Sequence, residues 1–502
     1  MYCHSSSLFG WVTFVITIHL WFGSADGKPR DGLHSPNLSY LDKRAVQVKP
    51  GDFSAIYSYP TDPDSDTGGV DEDDTTRNAI QPESGSVMSA QNTNPEDWTL
   101  EQTSQYLNSL AHPQALTGIR TYVYVWCSPQ NKQTHDFLAV FGLSNAFHQR
   151  LTPRLVSAVP VPTKGNEAHH LYLSRDGKSA FAGGLLSARN NQAPNFFFDL
   201  HNPKYPRYIK SSKPQYSTAA DAAYPLDNGG FLVTMMGGTA LGKSGRVVEY
   251  DKEMNLVGEY PREGEELPDG FYPHGISVKP GANFMITTDF IDPFSTLLPT
   301  DGITAGNTVR IWNYTERRIV NTVTLGDNIQ GVMDVAFVSA KDCSHCAIVS
   351  STSDGKLYVV DPTTGEAHVS YNSGDANAGF HVMHVNRAGT RLWVSAANSG
   401  NIYMFDTTSA RRLRLLAKVS VGSRATPHFI TLTPDESMLI VTDYFLDQQD
   451  FGVVHSGGDK KMHFLQIAGN RMDLLPSMDL NFKKLFWRIG QVNPHGVAVL
   501  NV

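Results

Sequence analysis

From Arg120 to the C-terminus, the chain alternates short apolar runs with turn residues. Runs such as Tyr122–Trp126 and Phe137–Phe141 have the length and the aromatic or β-branched content of strands, and turn residues separate them. Apolar residues at helical spacing are nearly absent from this region. The pattern therefore predicts an all-β domain, which leaves a sandwich, a barrel or a propeller.

An internal repeat decides among these three architectures. Each copy begins with His, continues through an apolar strand, reaches a turn that ends eight residues later and restarts as a second strand. Strand–turn–strand units at such intervals are typical of propeller blades. The four copies are His169–Gly177, His274–Ala282, His381–Gly389 and His428–Glu436.

Three further segments complete a ring of seven. Asp334-Val-Ala-Phe-Val fits with Asp in place of His, and Asp221 fits with an uncertainty of one residue. Pro494-His495-Gly-Val-Ala-Val is the seventh copy, after which the chain ends. Because residues 120–160 hold strands without a template, we expect them to share a blade with the C-terminal strand and so protect the sheet edges. The predicted fold is a seven-bladed β-propeller closed by its N- and C-terminal strands.

The N-terminus predicts secretion. Residues 1–25 resemble a signal peptide, because the apolar run Leu8–Phe22 is followed by Gly23-Ser-Ala25. No Lys or Arg precedes the run, and a membrane anchor is the alternative, although the run is short for a span. After signal removal we expect no stable membrane anchor.

Two segments separate the signal from the propeller at 119–502. Residues 26–93 are rich in Asp, Ser, Pro and Gly and predict an acidic, disordered pro-segment or leader. Within it, Lys43-Arg44 resembles a processing site. Residues 94–118 predict a short helical segment that starts at Asn94-Pro95.

Charge and modification sites narrow the possible partners. The 502 residues carry a formal net charge of −8 and no Lys/Arg-rich stripe, which argues against nucleic acid. Asn37 and Asn313 begin N-glycosylation sequons, which gain meaning in a secreted chain.

The cysteines predict one disulfide. Cys3 would leave with the signal peptide, and one disulfide plus one free thiol is the simplest oxidised state of the three remaining cysteines. A redox or metal role for the CxxC motif is the alternative; the disulfide candidates are Cys127, Cys343 and Cys346.

The repeat register places one polar side chain per blade around the channel. Imidazole suits copper, zinc or iron and also serves as an acid or a base, so metal binding and acid–base catalysis both remain open. Polar residues that only bind channel water are the alternative, but five His at one template position favour a functional site. His170 and His384 lie outside this register and fit packing or supporting roles. The ring consists of His169, Asp221, His274, Asp334, His381, His428 and His495.

Two aromatic loops follow the second strands of their blades and are long enough to overhang the channel mouth. Phe290 and Phe294 belong to one loop, and Tyr444 and Phe445 to the other. We expect them to form an apolar wall for a small hydrophobic or aromatic substrate, with simple loop packing as the alternative.

The chain resembles the selenium-binding protein and methanethiol oxidase family over about residues 160–502. This resemblance implies a seven-bladed propeller, copper-dependent thiol oxidation as in bacterial members, and metal binding by His169, His170 and His495. The family's next histidine pair falls on Ser217–Asp221, which contains no His, and its characteristic Cys is missing. The matching segments are His169-His170, Gly245–Tyr260, Phe284–Asp289, Val309–Asn313 with Thr322–Leu325, and Pro427–Asp450.

The overall pattern of signal, sequon and divergent propeller also resembles, more loosely, the secreted fungal hetero-Diels–Alderases of tropolonic sesquiterpenoid biosynthesis. That resemblance implies a cofactor-independent cycloaddition between a tropolone quinone methide and a humulene-type olefin in the channel. An acid–base pair would assist loss of water, and an apolar pocket would orient the reactants. We favour this hypothesis at the sequence level. A copper-dependent oxidase of small thiols and a non-catalytic ligand- or protein-binding propeller are the alternatives.

We expect His274→Ala and His381→Ala each to reduce turnover substantially while the chain still folds. The reason is that both imidazoles belong to the predicted ring. Turnover assays and circular dichroism on the two variants check this. Unchanged turnover in both would remove the ring from the mechanism.

Overall fold

The computed structural model of the protein describes most of the propeller and the helical segment before it. The predicted signal peptide, the pro-segment with Lys43-Arg44, Asn37 and Tyr444 lie outside the described residues. Within the described part, no helix is both long and apolar enough to cross a membrane. The described residues are 94–111, 119–144, 153–188, 191–239, 243–297, 304–443, 445–447 and 455–502.

The strands form seven antiparallel four-stranded blades, which confirms the predicted fold class. Blade 7 contains the first three strands, β1 (Ile119–Pro129), β2 (His135–Ser144) and β3 (Arg154–Lys164), together with the last strand of the chain. Blades 1 to 3 are β4–β7 (Ala168–Leu173, Ser179–Gly184, Asn195–Asp199, Arg207–Ser212), β8–β11 (Ser217–Pro225, Phe231–Gly238, Ser244–Tyr250, Leu256–Tyr260) and β12–β15 (Pro273–Lys279, Phe284–Asp289, Thr308–Asn313, Arg318–Thr324).

Blades 4 to 6 continue the same order, with an extra hairpin in blade 6. Blades 4 and 5 are β16–β19 (Val332–Phe337, Ala347–Ser351, Lys356–Asp361, Glu366–Asn372) and β20–β23 (Phe380–Val385, Arg391–Ala396, Asn401–Asp406, Arg414–Ser420). Blade 6 contains β24, β25, β28 and β29 with β30 beside β28, whereas β26 and β27 pair separately. These strands are Pro427–Leu432, Met438–Asp443, Phe445–Asp447, His455–Gly457, Lys461–Ala468, Arg471–Leu474 and Leu480–Asn481.

The last strand, β31 (Val492–Asn501), closes the ring by pairing with β1, with Tyr124 opposite Ala498. The innermost strand of each blade contacts the innermost strand of the next, and β31 contacts β4. Because the ring is closed, every innermost strand has a neighbouring blade on both sides. Closure of this kind limits the exposed sheet edges of a propeller. The innermost strands are therefore β4, β8, β12, β16, β20, β24 and β31.

A helical segment covers the outer edge of blade 7. Helix α1 (Leu100–Ser109) begins with a capping box, because Thr99 accepts from the Gln102 backbone and Gln102 accepts from the Thr99 backbone. The Asn108 side chain donates to the Ala158 carbonyl and accepts from the Ala158 N–H. One amide side chain thus pairs with the open edge of β3, where unpaired backbone would otherwise remain.

The remaining helices of the described residues are short. They are α2 (Pro293–Leu297), α3 (Phe482–Leu485) and the 3₁₀ turns Pro95–Asp97, Leu185–Ala188, Pro280–Ala282, Ala397–Ser399, Pro476–Met478 and Trp487–Ile489.

Each innermost strand carries one extra residue at the same point of the repeat. In blade 5, Phe380 pairs with Ala396 and Met383 pairs with Val394, so three steps on β20 match two on β21. Such a bulge puts two consecutive residues opposite one and changes the direction of their side chains. The bulge residues are His169-His170, Asp221-Ala222, His274-Gly275, Met333-Asp334, His381-Val382, His428-Phe429 and His495-Gly496.

Buried hydroxyl groups hold these bulges in place. Ser395 of β21 accepts from the Val382 N–H of its own bulge and donates to the His428 carbonyl of the next blade at 2.6 Å. The same donation to the next blade recurs in five blades, so each hydroxyl fixes the backbone of the neighbouring bulge. The five residues are Thr234, Thr288, Ser350, Ser395 and Thr442.

We expect Ser395→Ala to lower the free energy of unfolding by about 1–3 kcal/mol, because the buried Val382 N–H and His428 carbonyl lose their partner. Urea unfolding of the full chain measures the change. Ser211→Ala, on an exposed position of β7, is the control and should change stability by less than about 0.5 kcal/mol. Equal stability of the two variants would show that the hydroxyls do not hold the bulges.

Candidate metal centre

The first residue of each bulge supplies the predicted ring, with one exception. In blade 4 this position is Met333, because Val332 pairs with Ser351 just as Pro273 pairs with Asp289 in blade 3. Asp334 is therefore one residue out of the predicted register and takes the place of Gly275. Residue type aligns Asp334 with His274 because an apolar strand follows each of them, but the bulge makes Met333 the residue that corresponds to His274. The residues at the first bulge position are His169, Asp221, His274, Met333, His381, His428 and His495.

Asp334 has a structural role instead. Its carboxylate accepts from the Met383 N–H at 2.7 Å and from the Val335 N–H at 2.8 Å, so it bridges blades 4 and 5. Burial among surrounding protein atoms raises the pKa of Asp334 to about 7, although part of the side chain remains accessible. This carboxylate supports the backbone next to the ring.

His169 and His170 lie at the middle of the cluster on blade 1. Their rings stack with centroids 4.3 Å apart and an angle of 9° between planes. The carboxylate of Asp221 in blade 2 contacts both rings. Its Oδ2 lies 3.1 Å from His169 Nε2, and its Oδ1 lies 2.9 Å from His170 Nδ1. His274 Nε2 approaches Asp221 Oδ2 at 3.3 Å. One buried carboxylate thus gathers three imidazoles.

His428 links this group to the opposite side of the channel. Its Nε2 lies 3.1 Å from His170 Nε2, and its Nδ1 lies 2.9 Å from His381 Nδ1. A neutral imidazole has one donor and one acceptor nitrogen, so the three rings can form a continuous hydrogen-bonded chain. His495 completes the cluster, with its ring centroid 4.4 Å from that of His169 and 4.9 Å from that of His428.

Two overlapping sets of donor atoms result. In the first, one ring nitrogen each from His169, His170, His428 and His495 lies within 4.8 Å of the other three. In the second, His169 and His170 combine in the same way with Asp221 and His274. Imidazole nitrogen with or without carboxylate oxygen suits copper, zinc, iron or nickel. The residues present therefore fit a transition-metal ion.

Burial keeps His170, His274, His381, His428 and His495 in the neutral form that binds metals. Desolvation lowers the pKa of His170 to about 4 and the pKa values of His274 and His381 to about 3. It also lowers the pKa values of His428 and His495 well below the usual range, with further lowering from neighbouring imidazoles.

Asp221 is the one carboxylate in the cluster. Burial alone would raise the pKa of Asp221, but attraction to His274, His170 and His169 outweighs it and holds the pKa well below its usual value. The site therefore combines neutral imidazoles with one carboxylate.

Some donor atoms of the cluster lack hydrogen-bond partners among the described residues. Among these atoms are His169 Nδ1 and both ring nitrogens of His274. Buried polar atoms in folded proteins are nearly always satisfied, and a site for an unseen ion or water is one reason for an exception.

An apolar wall adjoins His274 at the loop after β13, and its role in substrate binding stays a prediction. Phe290 lies against the His274 ring with centroids 4.9 Å apart, and Phe294 packs against the buried apolar cluster that contains Phe290. Tyr444 and the Phe445 side chain lie outside the described residues, so their part of the wall stays a prediction. The buried members of the wall are Leu185, Leu186, Ala219, Met236, Phe290 and Met333.

The other predicted sites contribute no donor atom to the channel cluster. Cys343 and Cys346 form a disulfide, and Cys127 is buried and free. Asn313 ends β14, where its Oδ1 accepts from Asn283 Nδ2 and from the Glu316 N–H. Its glycosylation stays a prediction.

Residue-level reasoning missed two contributors to the cluster. The repeat register puts His170 outside the ring, yet the bulge brings it into both donor sets, and only the family resemblance includes it. The adjacent pair His169-His170 was the available indication. The buried hydroxyls such as Ser395 were missed because Ser and Thr on the second strands have no distinctive spacing in the sequence.

Comparison with solved structures finds this fold at low sequence identity. A hypothetical selenium-binding protein from Sulfolobus tokodaii has a TM-score of 0.61 and 14% identity, covering 81% of this chain and 97% of that protein. A periplasmic gluconolactonase from Pseudomonas aeruginosa has a TM-score of 0.52 and 13% identity, covering 76% and 99%. No family model matches the chain, and no curated protein matches it in sequence. The likeness establishes the propeller fold alone.

We expect the metal-free chain to lose stability as the pH falls from 6.5 to 5. The unfolded chain takes up protons on its His residues near pH 6.5, whereas folded His274 resists protonation down to about pH 3. Each such group contributes up to about 1.4 kcal/mol per pH unit in this window.

Urea unfolding at several pH values, compared between the wild-type chain and His274→Asn, isolates the contribution of the His274 imidazole. The free energy of unfolding of the variant should depend less steeply on pH. Parallel curves for the two proteins would mean that burial does not depress the pKa of His274.

Proposed function

We propose that the protein is a metal-dependent enzyme of small-molecule chemistry with a copper-type centre at the propeller axis. The observation that carries the proposal is the first donor set, in which four buried imidazoles from blades 1, 6 and 7 come within 4.8 Å of one another. Ordinary packing does not require so many imidazoles in one place, whereas imidazole nitrogen is a suitable ligand for a borderline metal ion such as copper. His169, His170, His428 and His495 would hold the ion.

The family resemblance supports copper and a thiol substrate. It assigns metal binding to His169, His170 and His495, and these three lie in one donor set. His428 supplies a fourth nitrogen, while Asp221 stands in the segment where the family has its next histidine pair. Copper, when bound, supplies one-electron redox chemistry. We therefore take oxidation of a small thiol, with dioxygen as electron acceptor, as the leading reaction.

Residues around the proposed metal centre would exchange protons and bind the substrate. His381 is 7% exposed, more than the other ring imidazoles, and it contacts His428, so it is placed to exchange protons between the channel and the buried cluster. Phe290 and Met333 would bind the apolar part of a substrate and exclude water. The nearly complete burial of His169 and His170 favours an ion as their direct contact over an organic molecule.

A metal-free hetero-Diels–Alder cyclase is the second candidate, and the apolar wall beside His274 favours it. The neutral His274 imidazole can accept a hydrogen bond from a substrate hydroxyl, while the aromatic surface of Phe290 holds an apolar diene and olefin. In this alternative His274 and His381 would be the catalytic residues, and the centre around His169 would be structural.

We also propose that the protein works in the secretory pathway. A disulfide between Cys343 and Cys346 fits an oxidising compartment, and the sequon residue Asn313 lies at a partly exposed strand end. Both observations agree with the predicted signal peptide.

Copper reconstitution of the full chain tests the proposal. We expect methanethiol-dependent oxygen consumption by the copper-loaded protein, and loss of this turnover after chelation. His495→Asn should reduce turnover at least about 10–100-fold, because loss of a ligand costs no less than loss of an outer partner. His201→Asn is the control, since His201 is an exposed surface residue paired with Asp199.

Three outcomes contradict the proposal. Cyclisation of a quinone methide with a humulene-type olefin by the chelated protein would replace it with the cyclase. Absence of turnover with either substrate class, together with a bound protein partner, would support a non-catalytic propeller. Equal turnover of His495→Asn and His201→Asn would remove the four-histidine set from the reaction.

A further inference from the structure

The second donor set lies beside the four-histidine set, on the side of blades 2 and 3. Asp221 and His274 contribute to it, and their donor atoms lie within 4.8 Å of each other and of donor atoms from His169 and His170. All four residues are buried. Its carboxylate distinguishes this set from the first one, which contains imidazole nitrogens alone.

His274 points to a ligand in this set. Its side chain is 2% exposed, and Nδ1 has no hydrogen-bond partner among the described residues. Its Nε2 lies 3.3 Å from Asp221 Oδ2 without the alignment of a hydrogen bond. Two ring nitrogens without a hydrogen bond on one buried side chain are costly, and coordination of an ion would satisfy one of them.

Asp221 points to the same conclusion through its charge. The carboxylate is fully buried, and the ion-pair partners that the described residues give it are three imidazoles, with no Lys or Arg. Buried carboxylates in proteins are paired with a cation or coordinate a metal. A divalent ion beside Asp221 would provide that positive charge.

His170 faces both donor sets. Its Nε2 lies 3.1 Å from His428 Nε2 in the first set, and its Nδ1 lies 2.9 Å from Asp221 Oδ1 in the second. The two nitrogens of one ring are therefore directed to different partners. This arrangement lets one imidazole serve two neighbouring ions.

We infer that the channel centre has positions for two divalent transition-metal ions, the second held by Asp221 and His274 with His169 and His170 shared between them. The inference rests on the proposed function and extends it from a one-ion to a two-ion centre. Asp221 thereby acquires a role as a ligand, in the segment that contains no His.

Metal stoichiometry of the full chain tests the inference without reference to activity. The metal-free protein is saturated with Cu²⁺, desalted and analysed by inductively coupled plasma mass spectrometry. We expect two equivalents in the wild-type chain and one in His274→Asn, Asp221→Asn and His495→Asn. His201→Asn, the surface control, should retain two.

The result separates the two proposals. One equivalent in the wild-type chain, unchanged in His274→Asn, overturns the second position and leaves the proposed function intact. No bound copper in the wild-type chain overturns the proposed function itself. Complete loss of copper in folded His274→Asn also overturns the inference, because the residue would then serve a single ion. Asp221→Asn has nearly the shape of the native residue and gives an independent answer, and near-UV circular dichroism of each metal-free variant confirms folding.

Discussion

The extra residue in every innermost strand is the constraint on which the channel centre depends. In a regular strand, consecutive side chains lie on opposite faces, so His169 and His170 would be separated by the sheet. The bulge removes this alternation locally, and the two rings stack 4.3 Å apart. Hydroxyls such as Ser395 then fix the carbonyl of the next bulge, so the position of the His428 ring is coupled to the neighbouring blade. A dense cluster of imidazoles thus follows from backbone geometry repeated around an axis.

The fold was predictable from the sequence because the internal repeat has one copy per blade. Copies that begin at residues such as His274 and His428 give the number of blades, and the partial copy at His495 predicts that the last strand pairs with β1. Local pairing in antiparallel hairpins depends on period-two patterns and turns, both of which are visible in one sequence.

The site was predictable only in part, because its geometry depends on the bulge. Most of the ring positions follow from the template, but Met333 holds the blade 4 position and Asp334 lies beside it. A one-residue shift in a strand changes which face a side chain occupies, so matching by residue type fails there. The role of His170 depends on contacts with Asp221 and His428, two residues far from it in sequence, which no local pattern contains.

The chemistry follows from burial as much as from residue type. Exposed imidazoles titrate near neutral pH, whereas desolvation keeps His274 and His381 neutral. Neutral rings gathered by the single carboxylate of Asp221 form a ligand set, and the wall at Phe290 gives the adjoining space an apolar side. The cluster and the wall together favour a small organic substrate next to a buried ion.

The most direct test of this account is an anomalous-difference map from crystals of the copper-loaded protein, recorded at the copper absorption edge. The account predicts a peak bounded by the ring nitrogens of His169, His170, His428 and His495. A map without a peak at the axis, in crystals whose solution contained copper, would contradict it.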